Sequence, residues 1–222
     1  MQFCRCLTQF TPEGRALFVA RAYEPVLGKL LAGMRAQVLA LCRQFGAHRV
    51  LDLCCGPAGL SRLLQGNGLH VCALDLSWPM LRQARHTLTG GPQTLGLVQG
   101  DATRLPFSGR ASAPDFDIAV LALALHSLSP AQGHCVVREA LRVARYCIIA
   151  DFSLAERNLD MPAVAMAHGA EWLVGGEHYA QYRTFMAAGG IEGFARATGR
   201  TLCARCRSMG GAASLIVLQA SI

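Results

Sequence analysis

The chain has 222 residues, 52% hydrophobic and 16% charged, which excludes a disordered segment and is enough for one large α/β domain with a substantial core. Lysine and arginine outnumber aspartate and glutamate by 21 to 14, and the resulting +7 charge suits an anionic ligand, nucleic acid or an acidic membrane surface. The basic residues are scattered rather than clustered, so nucleic acid is not expected as a partner, and no apolar run reaches the about 20 residues needed to span a bilayer.

In chain order, Met1 to Cys6 is not followed by the apolar stretch and cleavage site of a secretory signal. The ten cysteines therefore read as mostly reduced thiols, and the expected location is cytoplasmic. Thr11-Pro12-Glu13 has the marks of a helix start: a capping hydroxyl, a proline at the first helical position and an early acid. Pro25 punctuates that helix. From Val26 to Phe45 the apolar residues Leu27, Leu31, Met34, Val38, Leu41 and Phe45 recur in steps of three and four, a second amphipathic helix. A core-facing or lid helix is favoured over a membrane-surface one, with at most peripheral membrane contact. Residues 1–46 thus read as an N-terminal helical cap on a core spanning 47–222, within one domain.

From residue 48 short apolar runs alternate with helical segments. Arg49–Leu53, His70–Asp75, Gly96–Gln99, Phe116–Leu121 and Tyr146–Asp151 read as strands, with helices from Leu60, from Met80 to Leu88 and over residues 131–143. Repeated β-α units imply a mostly parallel sheet covered on both faces, a doubly wound α/β architecture. The last third breaks that rhythm. After a polar insertion near 153–180, His178 to Thr198 reads as a helix interrupted at Gly189-Gly190, followed by strands over Arg200–Cys206 and Ala213–Leu218. Met209-Gly210-Gly211 is too short to house a crossover helix, so these two strands form an antiparallel hairpin closing a sheet of seven.

Val50-Leu51-Asp52-Leu53-Cys54-Cys55-Gly56-Pro57-Ala58-Gly59 is a buried-strand run ending in an acid, then a small-residue turn opening a helix. Such a turn lets backbone N–H groups approach a nucleotide-like ligand, because small side chains leave room and the helix start offers unpaired donors. Asp52 and Asp75 each close a strand and lie along one sheet edge, where a carboxylate can accept two hydrogen bonds from a ribose diol; a helix-capping or solvated acid is the plainer account of Asp75 alone.

These residues resemble the class I S-adenosylmethionine-dependent methyltransferases. The stretch from Val50 to Gly59 is similar to that family's first motif, Ala73-Leu74-Asp75-Leu76-Ser77-Trp78 to its second, Val98-Gln99-Gly100-Asp101-Ala102 to its third and Phe116 to His126 to its fourth. They occur in the family's order over residues 48–128, Arg138 to Phe152 continues the match, and the terminal hairpin suits its seven-stranded sheet. The resemblance implies S-adenosylmethionine as cofactor and methyl transfer to a small-molecule or lipid-like acceptor. It implies that Asp52, Cys54 and Gly56 border the methionine part, Asp75 and Leu76 the ribose, Asp101 and Ala102 the adenine edge, and Leu121 the boundary between cofactor and acceptor.

Two departures stand out. Cys54 and Ala58 occupy positions where the family has glycine, so the backbone there must adopt a conformation tolerable to a β-carbon or approach the ligand more loosely. Ala144-Arg145 stands as a short connection where a proline-glycine-glycine turn is usual. Two other readings stay open: a cofactor-binding protein without turnover, and a nicotinamide oxidoreductase, for which Cys54-x-Gly56-x-x-Gly59 keeps two of three fingerprint glycines.

His126 follows the fourth strand and is the candidate catalytic base, able to take a proton from an acceptor hydroxyl or thiol; a polar residue at a strand end is the plainer account. His168, Glu171, Glu177 and His178 surround Trp172 in the insertion, and His168 and Glu171 share a helix face at i, i+3. Without a companion ligand motif the group reads as a solvated helix end, and no metal is expected. By the resemblance, Trp172, His178, Tyr179 and Tyr182 line an acceptor pocket. Cys203 and Cys206, like Cys4 and Cys6, read as small core residues rather than zinc ligands, since strand residues three apart face opposite ways.

Overall fold

A computed structural model describes residues 31–87, 95–109 and 112–220. The expected helix at Thr11, the punctuation at Pro25, Leu27, Leu88 and the pair Cys4 and Cys6 lie outside the described residues.

Among the described residues, seven strands form one sheet in the order β3-β2-β1-β4-β5-β7-β6. They are β1 Arg49–Leu53, β2 His70–Asp75, β3 Leu95–Gln99, β4 Phe116–Ala122, β5 Ala144–Phe152, β6 Leu202–Ser208 and β7 Ala213–Gln219. β1 to β5 pair in parallel, and β7 runs antiparallel to both of its neighbours. Met209-Gly210-Gly211 makes the tight connection of the expected hairpin.

The helices are α1 over residues 31–44, α2 Gly59–Gly66, α3 Trp78–Thr87, α4 Pro130–Val143, α5 Met161–Val174, α6 Gly176–Ala187 and α7 Gly190–Thr198. Alternation along the strands sends neighbouring side chains to opposite faces, and both faces are covered. Ile118 and Val120 of β4 pack on one side with Val50, Ile148 and Val217 against α1 and α2. Ala119 and Leu121 pack on the other with Leu51, Ile149 and Ile216 against α4, α6 and α7. The stripe of Leu31, Met34, Val38 and Leu41 is buried, so α1 is a core-facing helix.

Two local expectations change. No loop separates α4 from β5, because Ala144 both ends the helix and begins the strand in extended conformation. Ala144 and Arg145 are therefore strand, and the turn found in the family has no counterpart to replace. Cys203 is not a core residue: β6 is the sheet edge, bulged between Leu202 and Ala204, and this leaves Cys203 exposed while Cys206 packs half-buried against the core.

α4 shows how local chemistry fixes an element. Ser129 Oγ accepts from Gln132 N, Gln132 Oε1 accepts from Ser129 N at 3.1 Å, and Pro130 sits at the first helical position where its missing N–H costs nothing. At the sheet edge, Arg207 pairs with Glu156 at 2.9 Å and with buried Asp160 at 2.9 Å, while Arg205 bonds to Glu156 and to Glu192. These pairs tie the start of the insertion to β6.

Candidate active site

The strand order reverses between β1 and β4, the position where open α/β sheets bind ligands beyond the carboxyl ends of their strands. A cleft of about 280 Å³ opens there. Its walls are Asp52 and the turn Cys54-Cys55-Gly56-Pro57 after β1, Asp75 and Ser77 after β2, Ala122 to Ala124 after β4, and Met34 and Arg35 from α1.

The turn keeps glycine-like geometry at two positions that are not glycine. Cys54 has φ +54° and Ala58 φ +58°, both in the left-handed region, beside Gly56 at +55°. Both residues hold the strained conformation that glycine adopts freely. Chain direction at the turn is set by the ladder and by Asp75. Cys55 N donates to Leu74 O at 3.1 Å, and Gly56 N donates to Asp75 Oδ2 at 2.7 Å.

Asp52 is buried at the cleft floor and accepts a hydrogen bond from Ser61 Oγ. Burial pushes its carboxyl up to about 7 against that hydrogen bond. Asp75 also accepts from Ser77 N at 2.8 Å, and burial raises its carboxyl despite these backbone donors. A carboxylate has about four lone-pair sites, so two remain for a diol, which is the test of fit for a ribose. Burial pushes Cys54 up to about 12, with Asp75 and Asp52 adding to the effect, and Cys55 further still. Both stay thiols at neutral pH and are not nucleophiles.

Leu76 is 67% exposed, and Asp101 commits one carboxylate oxygen to its own turn, Oδ1 accepting from Thr103 N at 2.8 Å and from Thr103 Oγ1 at 2.7 Å. Those bonds hold Asp101 below the usual carboxylate range. Ala102 is buried beside that turn, and Leu121 is fully buried in the core, so the strand end that borders the cleft is Ala122 to Ala124.

His126 does not face the cleft. It sits on a 3-10 turn, Leu125–Ser127, whose Ser127 lines the cleft while His126 points into the protein. Its Nδ1 is 2.7 Å from Asp151 Oδ1, and its Nε2 is 3.9 Å from Glu171 Oε2. Burial opposes its charged form, but Asp151 and Glu171 together outweigh burial and raise its pKa. Asp151, which closes β5, also accepts from the N–H groups of Leu125 (2.9 Å), His126 (3.3 Å) and Phe152 (2.8 Å).

The insertion corrects the solvated helix end. Glu171 is largely buried, and its Oε2 lies 2.5 Å from His178 Nε2. His168 turns away from Glu171 and bonds Tyr179 Oη at 2.8 Å, and Glu177 is exposed. Tyr182 is buried against Phe152 and the His126 ring, whereas Trp172 is 62% exposed. Sequence reasoning missed Asp151; its one signal is an acid ending the apolar run Ile148-Ile149-Ala150.

A seven-stranded sheet with one antiparallel strand at the sixth place, and a cleft rimmed by two strand-end acids, is the arrangement of the methyltransferase fold. It differs from the 3-2-1-4-5-6 order of dinucleotide-binding dehydrogenases. Residues 50–146 match a family described as methyltransferase domain, in keeping with the resemblance to the class I S-adenosylmethionine-dependent methyltransferases.

It is 34% identical over 143 residues to a demethylmenaquinone methyltransferase of Beutenbergia cavernae, covering 61% of this chain and 55% of that one. The chain spans about half the length of the curated relatives it matches. Among solved structures it is similar to mitomycin 7-O-methyltransferase, with TM-score 0.69, 19% identity, and coverage of 98% of this chain and 60% of the other. It is also similar to an N-methyltransferase of Bradyrhizobium japonicum solved with S-adenosyl-L-homocysteine, with TM-score 0.60, 13% identity, and coverage of 85% and 86%. Among the described residues, no helix is long and apolar enough to cross a membrane.

Proposed function

We propose that the protein transfers the methyl group of S-adenosylmethionine to a small-molecule or lipid-like acceptor by in-line displacement. The observation that carries this reading is the convergence of Asp52, Gly56 and Asp75 on one cleft at the switch point of a methyltransferase-type sheet. When bound, the sulfonium supplies an already activated methyl group, so the protein's task is alignment and exclusion of water. Asp75 would hold the ribose through its remaining lone-pair sites, Gly56 would let the backbone approach the methionine part, and Asp52 would supply an acidic group at the cleft floor. Ala122 to Ala124, rather than Leu121, border the methyl group. Asp101, through Oδ2, and Ala102 flank the adenine end.

The insertion helices α5 and α6 form the acceptor side of the same domain, with Tyr179, Tyr182 and His178 turned inward and Trp172 at the surface. Exposed Leu159, Met161, Met166 and Leu173 give this side an apolar surface, which supports a lipid-like acceptor, as does similarity to a protein named for demethylmenaquinone. Free thiols at all eight described cysteines support a reducing, cytoplasmic setting.

Isothermal titration with S-adenosylmethionine or S-adenosylhomocysteine tests the reading directly. Heat of binding is expected, and Asp75→Ala should weaken binding by about 1–3 kcal/mol. Folded protein that gives no heat with either compound would overturn the proposal; unchanged affinity in Asp75→Ala would remove Asp75 from the site.

A further inference from the structure

We propose that His126, Glu171 and His178 form a binding site for a divalent first-row transition metal ion of the zinc type, joining the end of β4 to the α5–α6 insertion. The ligand atoms of these three side chains all lie within 4.8 Å of one another, although they come from three separate segments. The site does not depend on methyl transfer.

The geometry of His126 is the strongest argument. Asp151 is fully buried and accepts three backbone N–H bonds in addition to the contact with the His126 ring. Surrounded by donors, its carboxylate acts as an acceptor, so Nδ1 of His126 carries the proton and Nε2 is the nitrogen that offers a lone pair when the ring is neutral, a state that binding an ion would favour. That nitrogen faces Glu171 at 3.9 Å, too far for a hydrogen bond and close enough for a shared ion. A carboxylate fixing the tautomer of a metal-binding histidine is the usual outer support of such sites.

Without an ion, Glu171 and His178 are joined by a hydrogen bond, which an entering ion would replace with release of the shared proton. Glu171 Oε2 is 2.5 Å from His178 Nε2 and 3.9 Å from His126 Nε2. A tetrahedral ion with bonds of about 2.0–2.2 Å separates its ligands by about 3.4 Å, between those two values, so modest side-chain adjustment on two adjacent helices closes the site. The side chains of His126 and Glu171 are 5% and 13% exposed, and that of His178 is 33% exposed. Two ligands are therefore held inside, and the third is an entry point from solvent. Two imidazoles and one carboxylate suit zinc or ferrous iron and are poor ligands for magnesium or calcium, which take oxygen. Three protein ligands also leave one position for water.

The test uses the full chain, stripped with chelator and dialysed, then titrated with Zn²⁺ by calorimetry and with Co²⁺ by absorption. The expected result is one ion per chain, visible Co²⁺ bands of a four-coordinate nitrogen and oxygen site without thiolate charge transfer, and a higher melting temperature with Zn²⁺. Glu171→Gln, which can still bond His178, and His178→Ala at the half-exposed end should each lower affinity about tenfold or more. The double variant Cys203→Ser with Cys206→Ser should bind as the parent does. Absence of binding, affinity unaltered in both ligand variants, or thiolate bands that vanish with the cysteine changes would each overturn the site.

Discussion

The turn after β1 and the cluster around His126 are built on opposite plans. The turn is a short run of consecutive residues whose backbone does the work: Gly56 N donates to Asp75, and the small side chains leave the cleft open. The cluster gathers His126, Asp151, Glu171 and His178 from four places in the chain, and its side chains do the work inside a well-packed shell. A contiguous site stores its information in local conformation, so single substitutions there change strain by small amounts. A dispersed site stores it in satisfied buried polar groups, where one loss leaves several others without partners.

That contrast orders the expected effects. Asp151→Ala removes the acceptor of three buried N–H groups and the orienting partner of His126, and should cost about 3–5 kcal/mol in urea unfolding. Asp75→Ala strips two N–H groups at the cleft rim, where water can replace the carboxylate, and should cost only about 1 kcal/mol. Equal losses for the two variants would erase the distinction between cluster and turn.

Asp52 joins the two plans, being a buried charge within the contiguous motif. Its folded pKa of about 7 lies above the roughly 3.9 of an unfolded aspartate, so ionising it opposes folding. Its contribution to stability is therefore most favourable at or below about pH 4, declines as pH rises towards 7 and is constant above that. Asp52→Asn removes this titration. The stability of the parent relative to Asp52→Asn should fall by about 2–3 kcal/mol between pH 5 and pH 8, read from unfolding curves at both pH values. Parallel pH profiles would mean that Asp52 is already ionised at pH 5.

The same contrast explains what can be read in the sequence. Strand and helix order, the terminal hairpin and the acid-closed strands β1 and β2 follow from apolar periodicity and short-range turn chemistry, so they are legible. The cleft's third wall is only partly so. Leu121 and Ala122 are neighbours in one apolar run, and alternation about the sheet decides which of them meets the cleft. The motif around Asp101 points it to the adenine edge, but spacing does not reveal that Thr103, two residues on, engages one of its carboxylate oxygens. The cluster is the least legible. His168 and Glu171 share a helix face, yet the partner of Glu171 is His178 on the next helix, reached through the left-handed turn at Gly175-Gly176. Tertiary placement of that kind leaves no periodic trace.

The smallest effect probes the turn itself. A β-carbon added at Gly56 would have nothing within 4 Å, so Gly56→Ala meets no clash and its cost is the left-handed backbone alone, about 1 kcal/mol. Ala58 holds the same backbone region with its methyl fully buried. Ala58→Gly relieves that strain but gives up methyl burial and frees the unfolded chain, so the net gain is at most about 0.5 kcal/mol. Denaturant midpoints of the two single variants, compared at constant slope, measure both terms. A loss on Gly56→Ala well above about 1 kcal/mol would place a hidden contact at that position. A clear loss on Ala58→Gly would mean that the buried methyl outweighs the strain, and that alanine there is selected for packing of α2 against β1 rather than tolerated in place of glycine.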